Sequence, residues 1–236
     1  MHLTSHDRLF VLTGAGISAE SGLATFRGSG GLWNGHRVED VATPEAWEAN
    51  PALVWRFYSQ RRRDALAAEP NAAHKALAEI EQRLAKTNSK NFYLCTQNVD
   101  DLHERAGSQR IHHMHGSLFE SRCIRCDQPF PDQSFYEDPR TLPTCKTCAS
   151  PIRPHIVWFG EIPLEMDAIY RELNRATTLL VVGTSGSVYP AAGLVHIANQ
   201  RRIRTIYVGP EEPLNLDAFD EIILERATVA LPKLVE

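Results

Sequence analysis

Four short apolar runs, each stopped by small or polar residues at its carboxyl end, constrain the fold of this chain more than any other feature. They are "RLFVLTGAG", "NFYLCTQN", "TLLVVGTSG" and "IRTIYVG". A β-branched run halted by glycine reads as a buried parallel strand entering a tight turn. Between the runs lie helical patterns, clearest in "NAAHKALAEIEQRLAK" and "PLEMDAIYRELNRA". Strands alternating with helices predict an α/β fold, a Rossmann-like parallel sheet covered on both faces. Ligands of such sheets sit outside the carboxyl ends of the strands, which here are Gly14 to Gly16, Thr96 to Asp101 and Gly183 to Ser187.

Two segments break the alternation. Residues 28–74 are rich in Trp, Pro and charge and read as loop and short helices without a clear strand. Residues 119–151 carry two cysteine pairs among Pro, Asp and Thr, as a loop-rich metal module does. Both read as insertions packed together as a small lobe, leaving residues 1–27, 75–118 and 152–236 as the Rossmann-like domain. A chain of 236 residues with 43% hydrophobic content can fill that architecture. The formal charge of −4 argues against a general nucleic-acid binder, which needs a strong positive field. No run approaches the ~18 apolar residues of a membrane span, and "MHLTSHDRLFVLTGAG" lacks a basic n-region and a cleavage site. A cytoplasmic protein, monomeric and without membrane contact, is the expectation.

Gly14, Gly16 and Ala19 in "GAGISA" fit the dinucleotide fingerprint, whose glycines let the backbone approach a pyrophosphate at a helix N-terminus. The usual acidic sequel is missing: Glu39 and Asp40, about 20 positions on, fall in the first insertion. The following "SGLATFRG" offers Arg27 for a phosphate and Phe26 to cover a reactive centre. Cys123-x-x-Cys126 and Cys145-x-x-Cys148, eighteen residues apart, supply four thiolates for one tetrahedral zinc. With all four ligands from protein, such a site is closed and structural. Cys95, in an apolar run, reads as a buried thiol.

"TQNVDDLH" gathers Gln97, Asn98 and Asp100 at a strand end, more hydrogen-bonding side chains than helix capping alone requires. In "IHHMHG", one of His112, His113 and His115 suits a general base at neutral pH, while partly exposed or otherwise satisfied rings would explain the others. "FYSQRRR" is a short charge run of the kind that ordinarily faces water.

Together these stretches resemble the sirtuin family of NAD-dependent protein deacylases, in the bacterial CobB type (class III). The resemblance runs through "GAGISAESGLATFRG", "TQNVDDLHERAG", "HMHGSLFESRC", the paired cysteines, "RPHIVWFGE" and "GTSGSVYPAAG", in family order over roughly residues 9 to 200. It implies that NAD and an acyl-lysine meet in a cleft between the large domain and the lobe. Carried onto matching positions, Gly14, Ala15, Gly16, Ala19, Glu20, Phe26, Arg27, Gln97, Gly183, Thr184 and Ser185 line NAD, with Ala227 at the adenine-contacting turn. Asn98 and Asp100 sit near the nicotinamide and its ribose, and His115 matches the catalytic base. Val157, Phe159, Gly160 and Glu161 lie along the substrate backbone. The implied products are free lysine, nicotinamide and O-acyl-ADP-ribose.

The CobB type carries Tyr-x-x-Arg where this chain has Tyr58 and Arg61. Three apart, they share a helix face, and a guanidinium grips a carboxylate bidentately. Ala42, matching a small residue of the acyl pocket, leaves room for a longer chain. The expectation is removal of succinyl, malonyl and acetyl groups, with Arg62 and Arg63 as solvated bystanders. The chain departs from the family at Gly209, where asparagine is usual, and at Arg226-Ala227, so its adenosine contacts after residue 205 differ. Competing readings of the same pocket are a mono-ADP-ribosyltransferase and a non-catalytic NAD or ADP-ribose sensor.

Overall fold

The computed structural model describes residues 4, 7–25, 32–33, 35–138, 140–186 and 188–235. Phe26, Arg27 and Ser187 lie outside the described residues. Strand β1 (Leu9–Thr13) ends in the first glycine turn and a one-turn helix, α1 (Gly16–Ala19). A two-residue ribbon follows, β2 (Leu32–Trp33) and β3 (His36–Arg37), in a segment whose composition suggested no strand. Helices α2 (Val38–Val41), α3 (Pro44–Ala49), α4 (Pro51–Ala67) and α5 (Ala72–Ala85) come next. Proline at the first turns of α3 and α4 and the side chains of Thr43 and Asn50 at their N-caps explain these starts.

The chain then alternates as expected. Strand β4 (Phe92–Thr96), helix α6 (Leu102–Ala106) and strand β5 (Ile111–His113) precede the antiparallel strands β6 (Gly116–Cys123), β7 (Pro129–Pro131) and β8 (Ile152–Ile156). Helix α7 (Met166–Leu173), β9 (Thr178–Val182), α8 (Gly193–Gln200), β10 (Arg204–Gly209), β11 (Glu221–Leu224) and α9 (Ala227–Ala230) complete it. The parallel sheet has the order β11-β10-β9-β1-β4-β5. Strand β8 belongs to the separate sheet β7-β6-β8 and not to the parallel sheet, although it follows the second insertion. Its Pro154 sits on an edge strand, where a missing N–H costs no ladder bond.

Strand β1 shows why the parallel sheet reads as continuous apolar runs. Leu9 and Val11 face a core with α5 and α9, while Phe10 and Leu12 face a second core with α7 and α8. Both faces are dry, so no position alternates to polar. Thr13, Thr96 and Val182 pair at one level, which brings the three following turns to one rim.

Helix α4 packs against β6 and β8. Val54, Tyr58, Arg61 and Ala65 recur at helical spacing on one buried stripe. Trp55, Ser59 and Arg62 form a second stripe against the cysteine module: Trp55 Nε1 donates to Ile152 O at 3.1 Å, and Ser59 Oγ accepts from Tyr136 N at 2.8 Å. Arg62 is therefore no solvated bystander. It is 1% exposed and donates to Leu118 O at 2.5 Å, to the Ser134 carbonyl, and to Asp132 at 3.4 Å. A buried guanidinium is tolerated because its five N–H groups meet carbonyls and a carboxylate. Arg63 does face solvent, pairing with Glu137 and lying over the Phe135 ring.

Candidate functional site

The turns after β1 and β9 interlock at the rim. Gly16 N donates to Gly183 O at 2.8 Å, and a Cβ at Gly16 would lie 2.7 Å from that oxygen. Gly183 has φ +63°, and a Cβ there would meet Ile17 N at 2.5 Å. Only glycines allow this crossing. Helix α1 is a single turn, so the full helix dipole that the fingerprint suggested is not available here. The amides of Gly14, Gly16, Ile17 and Ser18 are already spent on Val182, Gly183, Gly14 and Ala15 carbonyls.

Two successive carbonyls after β4 hold two histidines, and the difference between the rings is chemical. His115 Nδ1 lies 3.0 Å from Gln97 O, which only accepts, so Nδ1 carries the hydrogen and the neutral ring presents a lone pair at Nε2. Burial lowers its pKa below the ordinary histidine value against the raising effect of the Gln97 bond, which keeps it neutral. His113 Nδ1 likewise meets Asn98 O at 2.9 Å, but its Nε2 meets the Glu104 carboxylate at 2.6 Å. Burial would lower His113, yet Glu104 and the Asn98 carbonyl outweigh it and raise its pKa. His112 is tied to Leu164 O at 3.1 Å. Of the three rings, His115 is the one built as a base.

Asn98 and Asp100, 7% and 5% exposed, meet at a residue that sequence reasoning missed. Ser18 Oγ accepts from Asn98 Nδ2 at 3.1 Å and donates to Asp100 Oδ2 at 3.1 Å. His74 Nδ1 accepts from Asn71 N, so its Nε2 carries the hydrogen that faces Ser18 Oγ at 3.5 Å. Burial pushes His74 down to about 4 and raises Asp100, the latter against the Leu102 amide and the Ser18 hydroxyl. The only sequence signal for Ser18 was its place inside "GAGISA". Below this layer, Thr13 Oγ1 donates to Thr96 Oγ1 at 2.8 Å and faces His103 Nε2 at 3.0 Å.

The residues expected on the substrate side lie near the same rim. Val157 N donates to His115 O at 2.9 Å and Phe159 N to Ala42 O at 3.0 Å, so residues 157–159 hang between the histidine turn and the buried Ala42. Tyr58 is fully buried, and Arg61 is 6% exposed and donates to Ala24 O at 3.3 Å. The Glu161 carboxylate is committed internally, accepting from Arg153 at 2.7 and 2.8 Å and from Trp158 N at 2.8 Å. It shapes the loop beside Phe159 and Gly160. At the far end, Glu20 accepts from Thr228 Oγ1 at 2.7 Å, and Ala227 packs in the core. Tyr207 crosses Gly209, filling the space a side chain there would take, and donates to Glu211 O at 2.9 Å. Thr184 and Ser185 sit in the turn after β9, where Ser185 O accepts from Leu214 N at 3.2 Å.

The four cysteines are brought together, with one sulfur of each within 4.8 Å of the others. Cys148 Sγ lies 3.5 Å from Cys123 Sγ and 3.3 Å from Cys126 Sγ. A tetrahedron with 2.3 Å zinc–sulfur bonds has an edge of about 3.8 Å, so the set fits one zinc with a small relaxation. Hydrogen bonds from Ser150 pull the Cys148 thiol down to about 6, toward the thiolate that a metal requires. Cys95 lies apart, fully buried in β4, and burial raises its pKa.

The pattern that defines the Sir2 family matches residues 14–190, more than half of the chain. The NAD-dependent protein deacylase of Caulobacter vibrioides is 49% identical over 231 residues, covering 97% of this chain and 95% of that protein. A solved Sir2 homologue–NAD complex superposes with a TM-score of 0.87 at 42% identity, covering 98% of this chain and 89% of that one. A Sir2–p53 peptide–NAD+ complex gives 0.79 at 29% identity, covering 97% and 92%. On that extent of matching, in sequence and in structure, the chain belongs to the Sir2 family.

Proposed function

We propose that this protein is an NAD-dependent protein-lysine deacylase that removes acetyl and acidic acyl groups, succinyl and malonyl, giving free lysine, nicotinamide and O-acyl-ADP-ribose. The observation that carries the reaction is the His115 ring, held by Gln97 O with a lone pair at Nε2 on the rim where the glycine turns cross. NAD, when bound, would supply the ribose carbon that the acyl oxygen attacks as nicotinamide leaves, and the ribose hydroxyl, deprotonated by His115, whose oxygen takes up the acyl group. Gly14, Ala15, Gly16 and Ala19 with Gly183, Thr184 and Ser185 form its cradle. Asn98 and Asp100, oriented by Ser18, face the nicotinamide end. Gln97 holds the base, Glu20 and Ala227 flank the adenosine end, and Phe26 and Arg27 complete the cofactor loop. Val157, Phe159 and Gly160 carry the acyl-lysine backbone as an added strand, in a loop that Glu161 braces. One zinc, held by Cys123, Cys126, Cys145 and Cys148, is structural.

The preference for acidic acyl groups rests on Tyr58 and Arg61, buried on one face of α4 behind Ala42. Arg61 is a buried cation beside the Tyr58 hydroxyl; it donates to Ala24 O, has Asp100 and Asp64 within its field, and favours an arriving carboxylate. Residues 28–74 and 119–151 work as one lobe around α4. The protein acts as a cytoplasmic monomer on acylated proteins, without nucleic acid or membrane. Kinetics of Tyr58→Phe with Arg61→Met test the acyl assignment. The expected result is a KM for succinyl peptide raised about 30-fold or more, against a few-fold for acetyl peptide. Equal losses on both peptides would return the pair to a packing role.

A further inference from the structure

Trp158 ties the substrate loop to the acyl-recognition pair. It is 2% exposed, and its indole Nε1–H donates to the Tyr58 hydroxyl oxygen at 3.0 Å. The ring has little freedom. The Arg153 guanidinium lies 3.2 Å from its centroid, and Trp47 packs at 5.9 Å. Arg153 is in turn fixed by both Glu161 oxygens and by Ile156 O at 2.8 Å. On the backbone, Trp158 N donates to Glu161, while its neighbours Val157 and Phe159 donate to His115 and Ala42 carbonyls.

A phenol has one hydrogen, on a C–O bond that rotates, and lone pairs that accept. An indole N–H is a donor only, so the Tyr58–Trp158 bond occupies a lone pair and turns the phenolic hydrogen away from the indole. Burial keeps the phenol protonated. Among the described residues, no acceptor faces that hydrogen. Arg61 cannot serve, since guanidinium only donates. One turn along the same buried stripe as Arg61, the hydroxyl is left as a donor wanting an anion.

We propose that Trp158 is a positioning residue for acyl selection: its indole N–H fixes the rotation of the Tyr58 hydroxyl, so that the phenolic hydrogen is presented to a substrate carboxylate beside Arg61. The inference rests on the acidic-acyl reading given above. It assigns a specificity role to a residue of the substrate loop whose side chain points away from the peptide path and toward α4. The same indole makes acyl recognition sensitive to the loop that carries the peptide backbone, because Glu161 and Arg153 clamp both ends of the arrangement.

The test is steady-state kinetics of the full chain at saturating NAD, with succinyl and acetyl peptides of one sequence. Trp158→Phe keeps an aromatic ring for Arg153 and removes the donor. It is expected to raise KM for the succinyl peptide about five- to tenfold more than KM for the acetyl peptide, with the kcat ratio little changed. In the Tyr58→Phe background the same change is expected to add no more than about twofold to that ratio, because the hydroxyl it acts through is gone. Replacing Trp158 by its benzothiophene isostere, which preserves shape and lacks the N–H, should reproduce the Trp158→Phe result and guards against a folding defect. Equal losses on both peptides, or an undiminished effect in the Tyr58→Phe background, would overturn the proposal. If Tyr58→Phe alone fails to distinguish the peptides, the acidic-acyl reading itself fails. Discrimination by Tyr58→Phe but not by either Trp158 variant refutes only the role of Trp158.

Discussion

Alanine in place of His115 is expected to give a folded, zinc-loaded protein whose deacylation rate falls by about a thousandfold, within the range a positioned general base contributes. The ring is partly buried at the rim and is held by Gln97 O, so its loss removes little packing. What disappears is the ring whose Nδ1 is held by Gln97 O and whose Nε2 presents its lone pair at the rim. His113 cannot substitute, because both its nitrogens are committed as donors to Asn98 O and Glu104. The pH profile gives a second readout. Since burial depresses the His115 pKa below 6.5, the base stays neutral through neutral pH. The acid limb of the rate should therefore lie below 6.5 and vanish in the variant. An alanine variant with near-normal turnover would remove His115 from the mechanism.

The second large effect concerns the cysteine module. Cys145→Ser, or chelation of the wild-type protein, is expected to lower stability by at least about 3 kcal/mol, roughly 6–12 °C in Tm for a chain of this size. The apolar cluster that joins the module to α4 consists of Trp47, Trp55, Phe130, Tyr136, Leu142, Ile152 and the cysteines themselves, a small core for a loop-rich segment without a cross-link. Four sulfurs this close repel as thiolates unless a dication joins them. Because Trp55 and Tyr58 sit on neighbouring stripes of α4, loosening the module should also disturb the acyl pocket. Metal analysis should find one zinc per chain before treatment. A melting temperature unmoved by its removal would make the cluster incidental to the fold.

Much of the architecture was legible because it follows from periodicity. Buried parallel strands must be apolar on both faces, and their glycine or polar stops mark the rim. The cysteine pairs were legible because tetrahedral metal chemistry fixes their spacing. Arg62 was misread because charge alone predicts solvent, whereas its burial depends on backbone carbonyls from Leu118, Glu120 and Ser134, which no local pattern encodes. Ser18 and His74 escaped notice because their role is set by a meeting of three segments distant in sequence. Glu161 shows the converse: a motif residue whose carboxylate is used to brace the loop rather than offered to a ligand. Helix α1 was shorter than the fingerprint implied: it ends at Ala19, and Gly22 just beyond takes a left-handed φ of +89°.

The central claim is best tested by mass spectrometry of one succinyl-lysine peptide and the matching acetyl-lysine peptide, each incubated with this protein, with and without NAD. The account predicts loss of the acyl mass from both peptides only when NAD is present, with nicotinamide and the corresponding O-acyl-ADP-ribose formed in equal amounts. Peptides that keep their acyl groups, whether untouched or carrying added ADP-ribose, would contradict it.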